Sequence, residues 1–437
     1  MTIRLTFLAL LAAALAAAPA SAAGPVPLLA SRTVQDVAVA GPDVIVTRDG
    51  PLGTVRVDAL PTGGGPARSL LRTAPRGEEW DAFTAAAASP QRVAVVAFLL
   101  SPKGESVSQL YSGPPSGPLG LVEQVREGSG WEPDDVSVDG DRVLVLEEKG
   151  EESRLRLFVP GAAPRVVPVT APVTGYFEFA GQRVAFESDE RVVLADLATG
   201  SRLLSARHDS LFSLDVAADG RIVTDGDDIG VYTIMPSGLR QGVPDGEFLM
   251  NPRFAGDAIT ALEDMPSGAD RPVVLAPDAI HPHAIGLPSN FIETVDADAT
   301  GMTWIANGCV LYATLDAVAP AEPPPGPCAR AEVLVEQSSV TIRGRGLRLF
   351  AECIAATAAG CDGTVTVRER GIRGRGAFHA APGKRQRFTL RFTRRSVRII
   401  RREVRENEDA FVGLTTRLTG GGPPDREIDA LFIDKVR

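Results

Sequence analysis

Through most of the chain, apolar residues alternate with polar ones at a period of two, in short runs broken by Gly and Asp turns. Runs of that kind read as β-strands, because successive side chains of a strand point to opposite faces. A larger unit recurs above this alternation: strand, tight turn, second strand, polar turn, third strand. It is clearest at Asp36–Thr47, Asp135–Leu146, Phe177–Phe186, Leu214–Val223 and Val295–Ile305, with less regular copies at Ala85–Phe98 and Pro252–Leu262. The first turns of the seven copies fall at 41, 89, 140, 181, 220, 256 and 301, a spacing averaging near 43 residues. A four-stranded propeller blade needs roughly 40 to 50 residues, so the rhythm predicts a repeat-built β-propeller.

Val44, Val46, Val143 and Val145 share their strands with further Val, Ile and Leu neighbours, leaving these strands apolar on both sides. Strands sandwiched between adjacent sheets have that character. The last copy lacks an outer strand, since Leu315 runs at once into Pro and Ala, while Pro25–Ala30 near the start is a free apolar segment. Closing the ring with strands from both ends would remove exposed sheet edges. The expected fold is all-β: a seven-bladed propeller, with six or eight blades left open by the irregular second and sixth copies, followed by a small β-sandwich domain.

The unit Phe179–Ser188 followed by Arg191–Gly200 resembles the repeats of the TolB-like and WD40-like bacterial propellers. The resemblance spans roughly residues 25–318 and implies a propeller with a bias toward protein or ligand binding. No Trp-Asp dipeptide of the WD40 kind occurs, and the TolB-type turn is reduced to Ala218-Asp219-Gly220 in one unit.

The Pro-rich stretch 318–327 reads as a stiff spacer between a propeller at 23–317 and a second domain at 328–437. In the second domain, strands are expected at 332–335, 340–342, 347–353, 364–368, 387–393, 411–418 and 428–433. Val397, Ile400 and Val404 recur at helical spacing, placing a short amphipathic helix over 394–405. An immunoglobulin-like sandwich fits this layout, which resembles the arginine-rich β-domains appended to secreted actinobacterial proteins.

Residues 1–22 read as a secretory signal peptide: a charged start, an apolar stretch Leu5–Ala18 and an Ala-x-Ala site ending at Ala22. The apolar stretch falls short of the roughly 20 residues a membrane span needs. The mature chain is therefore expected to be secreted or held at the cell surface. Four cysteines in an exported chain point to disulfides, with local pairings Cys309–Cys328 and Cys353–Cys361 favoured.

Net charge is −10, but it is unevenly spread. Residues 330–437 hold 22 Lys and Arg against 13 Asp and Glu, leaving 23 against 42 for residues 1–329, so an acidic front of −19 precedes a basic back of +9. Arg343, Arg345, Arg368, Arg370, Arg385, Arg387 and Arg391 fall mainly on alternating strand positions and would form one positive plateau if the strands align. An anionic wall polymer or the acidic propeller itself would suit such a plateau. Nucleic acid is not expected, for want of an aromatic stacking platform.

Candidate chemistry is sparse. His281-Pro282-His283 supplies at most two of the ligands a metal needs, and Thr224–Gly230 fails the calcium-loop pattern at its fifth and twelfth positions. Gly301–Trp304 resembles half of a sialidase Asp-box, with its aspartate out of register. No nucleophile elbow or phosphate loop occurs. No metal or cofactor is expected. Trp80, Trp131 and Trp304, with Asp134 and Asp135, lie near blade starts and are the candidate ligand-binding residues. The leading expectation is a non-enzymatic binding or scaffold protein using propeller loops or the channel mouth to recognise a protein or an envelope polymer. Its rivals are a propeller enzyme acting on wall glycans or peptides, with Asp134, Asp135 or Asp227 as acid and base, and a structural surface protein tethered by its basic domain.

Overall fold

The computed structural model describes residues 24–436, apart from 32, 51–52, 75–80, 102, 209, 227–229, 267, 290–291, 307, 321–327, 329–332, 338–340, 354–359, 382–383, 408–409 and 420–429. The expected signal peptide and most of the expected linker lie outside the described residues. Residues 26–314 form seven four-stranded antiparallel sheets. In the order of the chain, their inner strands are Val34–Ala40, Asp81–Ala88, Glu132–Asp139, Phe177–Ala180, Ser213–Val216, Leu249–Ala255 and Ile292–Asp298, belonging to sheets 1 to 7. Each inner strand packs beside the next, and the seventh returns to the first. That closed circle is a β-propeller around a central channel.

The first turns of six sheets fall where the sequence rhythm places them, at Gly41, Ser89, Gly140, Gly181, Gly220 and Gly256, and the seventh falls one residue earlier, at Thr300, with Gly301 opening the next strand. Sheet 7 is completed by Val26–Ala30, which pairs antiparallel with Cys309–Thr314, so the N-terminal segment does close the ring. Cys309 on that strand is bonded to Cys328, and Cys353 to Cys361, the two local pairings expected.

Packing between sheets accounts for the double-sided apolar strands. Val44 and Val46 of sheet 1 meet Ile305 and Val310 of sheet 7, while Val55, Val57 and Ala59 meet Val93, Val95 and Ala97 of sheet 2. These side chains are fully buried, and each larger one contributes about 1.5–3 kcal/mol relative to exposure.

The C-terminal region is built on a six-stranded antiparallel sheet. Its strands lie in the spatial order Val333–Gln337, Gly346–Cys353, Arg385–Phe392, Ile372–Ala380, Cys361–Glu369, Thr415–Leu418. The helix forms at Arg394–Asn407, where Thr393 caps it by accepting the Ser396 N–H on its side-chain oxygen at 3.1 Å. Val397, Ile400 and Val404 pack onto the apolar face of the sheet, together with two small two-stranded sheets, so the second layer of the expected sandwich is part helix. Among the described residues, no helix is long and apolar enough to cross a membrane.

Candidate functional site

All inner strands run in one direction, so the channel has two unlike ends: a leading end where the strands begin, and a turn end where their hairpins close. Its cavity is polar and holds about 540 Å³. The charged residues lining it are Asp36, Asp135, Asp139, Glu178, Asp215, Arg253, Asp296 and Asp298, drawn from six of the seven sheets.

The carboxylates are tied to backbone. Asp36 accepts the N–H groups of Val37 at 2.8 Å and of Ala86 in sheet 2 at 2.7 Å. Asp215 accepts those of Val216 at 2.7 Å and of Phe254 in sheet 6 at 2.6 Å. Asp296 accepts the Val39 N–H of sheet 1 at 2.6 Å, and Glu178 accepts the Ser137 hydroxyl of sheet 3. Nearer the turn end, Asp139 and Asp298 accept the turn N–H of Gly181 and Gly41 at 2.9 and 3.0 Å. A propeller has few hydrogen bonds between sheets, and these side chains supply them.

Burial pushes Asp36 and Asp296 up to about 7, Asp135 to about 6 and Glu178 to about 8, with neighbouring acids adding to the rise and backbone N–H groups or Arg253 opposing it. Burial works against the Arg253 charge, but Glu178, Asp215, Asp296 and Asp225 hold its pKa above the usual value. Its guanidinium donates to the Leu214 and Pro252 carbonyls at 3.1 and 3.2 Å. Acids poised near neutrality have the protonation range for general acid–base work. Here the oxygens of Asp36, Asp296 and Glu178 are engaged in joining sheets, while Asp135 accepts the Val136 N–H of its own strand at 2.7 Å.

The leading end has a different chemistry. Among the described residues, the exposed aromatic side chains are Phe83, Tyr176, Phe212 and Phe248, at 57, 45, 49 and 55% exposure. Tyr176, Phe212 and Phe248 stand immediately before the inner strands of sheets 4, 5 and 6, and Phe83 is the third residue of that of sheet 2. Trp131 precedes the inner strand of sheet 3, half-buried, with the Arg154 guanidinium 4.2 Å from its ring centre. Acids gather at the same end. Asp134 is exposed there, its pKa raised by partial burial; Glu148 is raised by burial and then by Asp134 and Glu132. Burial, then Asp225 and Glu187, likewise raise Tyr176.

The sequence-nominated residues are thus divided. Asp134 reaches the leading mouth and Asp135 the channel, while Trp80 and Asp227 lie outside the described residues. Trp304 is a correction: at 1% exposure it sits between sheets 6 and 7, against Leu262 and Ile285 and directly over Gly286, so no ligand can reach it. Position 304 belongs to a second strand, which is covered on both faces. His281 pairs with Asp245 at 2.7 Å and His283 with the Leu315 carbonyl at 3.0 Å, so the two imidazoles are engaged separately. Among the described residues, no group of three His, Cys, Asp or Glu is arranged to hold a metal. The reading from sequence missed the exposed aromatics; an aromatic at the start of successive inner strands was the available signal.

The basic plateau takes shape on the solvent face of the six-stranded sheet. Arg368 stands opposite Arg373, and Arg391 opposite Arg375. Arg385 and Arg387 lie over the Phe350 ring at 4.2 and 5.0 Å. Arg343 and Arg345 are corrected to the turn preceding Gly346, and Arg370 to the hairpin turn before Ile372, so these three rim the plateau rather than stand on it. Arg348, Arg373, Arg375 and Arg417 join it instead.

No family model matches the sequence, and no curated protein matches it. Solved structures similar to it include the β-propeller domain of the Trilobed protease from Pyrococcus furiosus, 11% identical over 65% of this chain and 92% of that one, TM-score 0.43. Another is the WD40 domain of SCAP from fission yeast, 11% identical over 66% and 85% of the two chains, TM-score 0.37. A prolyl endopeptidase is 12% identical over 74% of this chain and 54% of its own, TM-score 0.45.

Proposed function

We propose that this chain is an exported, non-enzymatic binding protein that recognises a protein segment or an envelope polymer at the leading mouth of its propeller. The observation carrying this reading is the gathering of the exposed aromatics Phe83, Tyr176, Phe212 and Phe248 at one end of the channel. Exposed aromatics cost solubility when bare and provide large, rigid contact area when covered. Carboxylates beside them suit ligands with amino or hydroxyl groups. Two disulfides support an oxidising compartment. The channel carboxylates Asp36, Glu178, Asp215 and Asp296 support binding over catalysis, since each already serves as an acceptor between sheets.

The test is calorimetric titration of the full chain with soluble wall-glycan fragments and with a lysine-containing peptide, repeated on Phe212→Ala/Phe248→Ala. At least one probe is expected to bind and to be weakened at least about tenfold by the double variant. Binding that ignores the two aromatics would place recognition elsewhere; turnover of either probe would favour the enzyme.

A further inference from the structure

The six-stranded sheet carries a cleft of about 510 Å³ at its solvent face, beside the hairpin turn at Arg370 and Gly371. Arg368, Arg373, Arg375 and Arg391 line it from three adjacent strands. Two of the cross-strand pairs are arginine facing arginine, Arg368 with Arg373 and Arg375 with Arg391. Directly opposed residues of a sheet have Cβ atoms roughly 5 Å apart, and like charges there destabilise the pairing. Among the described residues, no carboxylate pairs with any of the four. Elsewhere the chain does neutralise its arginines: Arg154 and Arg156 bind the buried Glu147, and Arg271 binds Glu263.

The basic strip extends well past the cleft. Arg348 lies toward one edge of the sheet and Arg417 toward the other, on the same face as the four. With strands about 4.8 Å apart, the strip is on the order of 20 Å long. A single small anion would leave most of it uncovered. A linear polyanion bearing one charge per short repeat would match it, and guanidinium forks fit phosphate oxygens two at a time. Among the described residues of this face, the Phe350 ring is capped by Arg385 and Arg387, which closes it as a stacking platform for a base.

We infer that the arginine face of the C-terminal sheet is a binding site for a linear polymer of phosphate groups without stacked bases. This inference is independent of the recognition proposed for the propeller mouth.

The full chain is titrated with long-chain inorganic polyphosphate, and in parallel with orthophosphate, polyglutamate and an oligothymidylate. Polyphosphate is expected to bind most tightly, with an affinity that falls steeply with salt. Arg373→Gln/Arg375→Gln/Arg391→Gln should weaken it at least about a hundredfold and flatten the log–log salt dependence by roughly 2. Arg398→Gln/Arg401→Gln/Arg402→Gln removes the same charge from the exposed helix surface and should leave binding close to wild type. Circular dichroism melting verifies that each variant folds. Failure of the wild type to bind polyphosphate, equal loss in the two triple variants, equally tight binding of polyglutamate, or tighter binding of the oligothymidylate each overturns the inference. Phe212→Ala/Phe248→Ala should leave polyphosphate binding intact, which keeps this result separate from that of the propeller mouth.

Discussion

The channel and the arginine face concentrate charge in opposite ways. In the channel, Asp36, Glu178, Asp215 and Asp296 each accept a backbone N–H or a hydroxyl from an adjacent sheet, and Glu178, Asp215 and Asp296 face Arg253. On the six-stranded sheet, Arg368 opposes Arg373 and Arg375 opposes Arg391 across strands, and among the described residues no carboxylate pairs with these four. The first set is consumed in holding the fold together. In the second, no described carboxylate pairs with Arg368, Arg373, Arg375 or Arg391, so their charge is available to the polyanion proposed above. Density of charge alone therefore does not identify a binding site; whether the hydrogen-bonding capacity is already used does.

The comparison breaks most readily at Arg253. Arg253→Met leaves Glu178, Asp215 and Asp296 facing one another without a cation, and removing one partner of a buried ionic group costs about 3–5 kcal/mol. Urea unfolding at pH 8 should register that loss, and at pH 5 a smaller one, because Glu178 and Asp296 are then protonated. A loss equal at both pH values would mean that Arg253 acts by packing alone.

A smaller effect is expected from pH acting on the wild type. Asp36 and Asp296 rise from an ordinary 3.8 to about 7, and Glu178 from 4.5 to about 8. The folded chain thus holds these protons more tightly than the unfolded chain does. Their stabilisation is complete below about pH 4 and is lost as pH climbs through 7 to 8. Calorimetric melting temperatures should fall from pH 6 to pH 8; a flat or rising trend would show that these groups are solvated.

The smallest effect belongs to the sheet face. Arg373→Gln with Arg375→Gln should change unfolding stability by no more than about 0.5 kcal/mol, and any change should be toward greater stability, since the like-charge pairs with Arg368 and Arg391 disappear. A loss well beyond that, by urea unfolding, would show that these arginines support the fold after all.

How much of this was legible depended on what each position needed. The seven first turns were, because a tight reversal demands Gly, Ser or Asp in every sheet, and so was the closing segment at Val26–Ala30, whose apolar character had no other local partner. The strand Ile372–Ala380 was missed. Its inward positions 374 and 376 are glycines, and a Cβ there would press to about 3.0 Å against the rings of Phe392 and Phe388. The bulk that should signal a buried strand is supplied by its neighbour, so alternation vanishes from the sequence. Arg373 and Arg375 went unnoticed with it, and they are two of the arginines lining the cleft. Trp304 failed in the opposite sense: its neighbours Gly301 and Thr303 resembled a surface turn motif, whereas burial on both faces of the strand enclosed it.

Pairing Val26 with Tyr312 has a consequence for how the molecule is made. The segment that finishes the ring is among the first parts synthesised after residue 23, yet its docking partner is finished only some 290 residues later. Until then sheet 7 cannot exist in four-stranded form, and the gap between sheets 7 and 1 stays open to water. Ring closure therefore waits until the strand Cys309–Thr314 has been made, and the bond from Cys309 to Cys328 fastens the very strand on which that last seam is sewn.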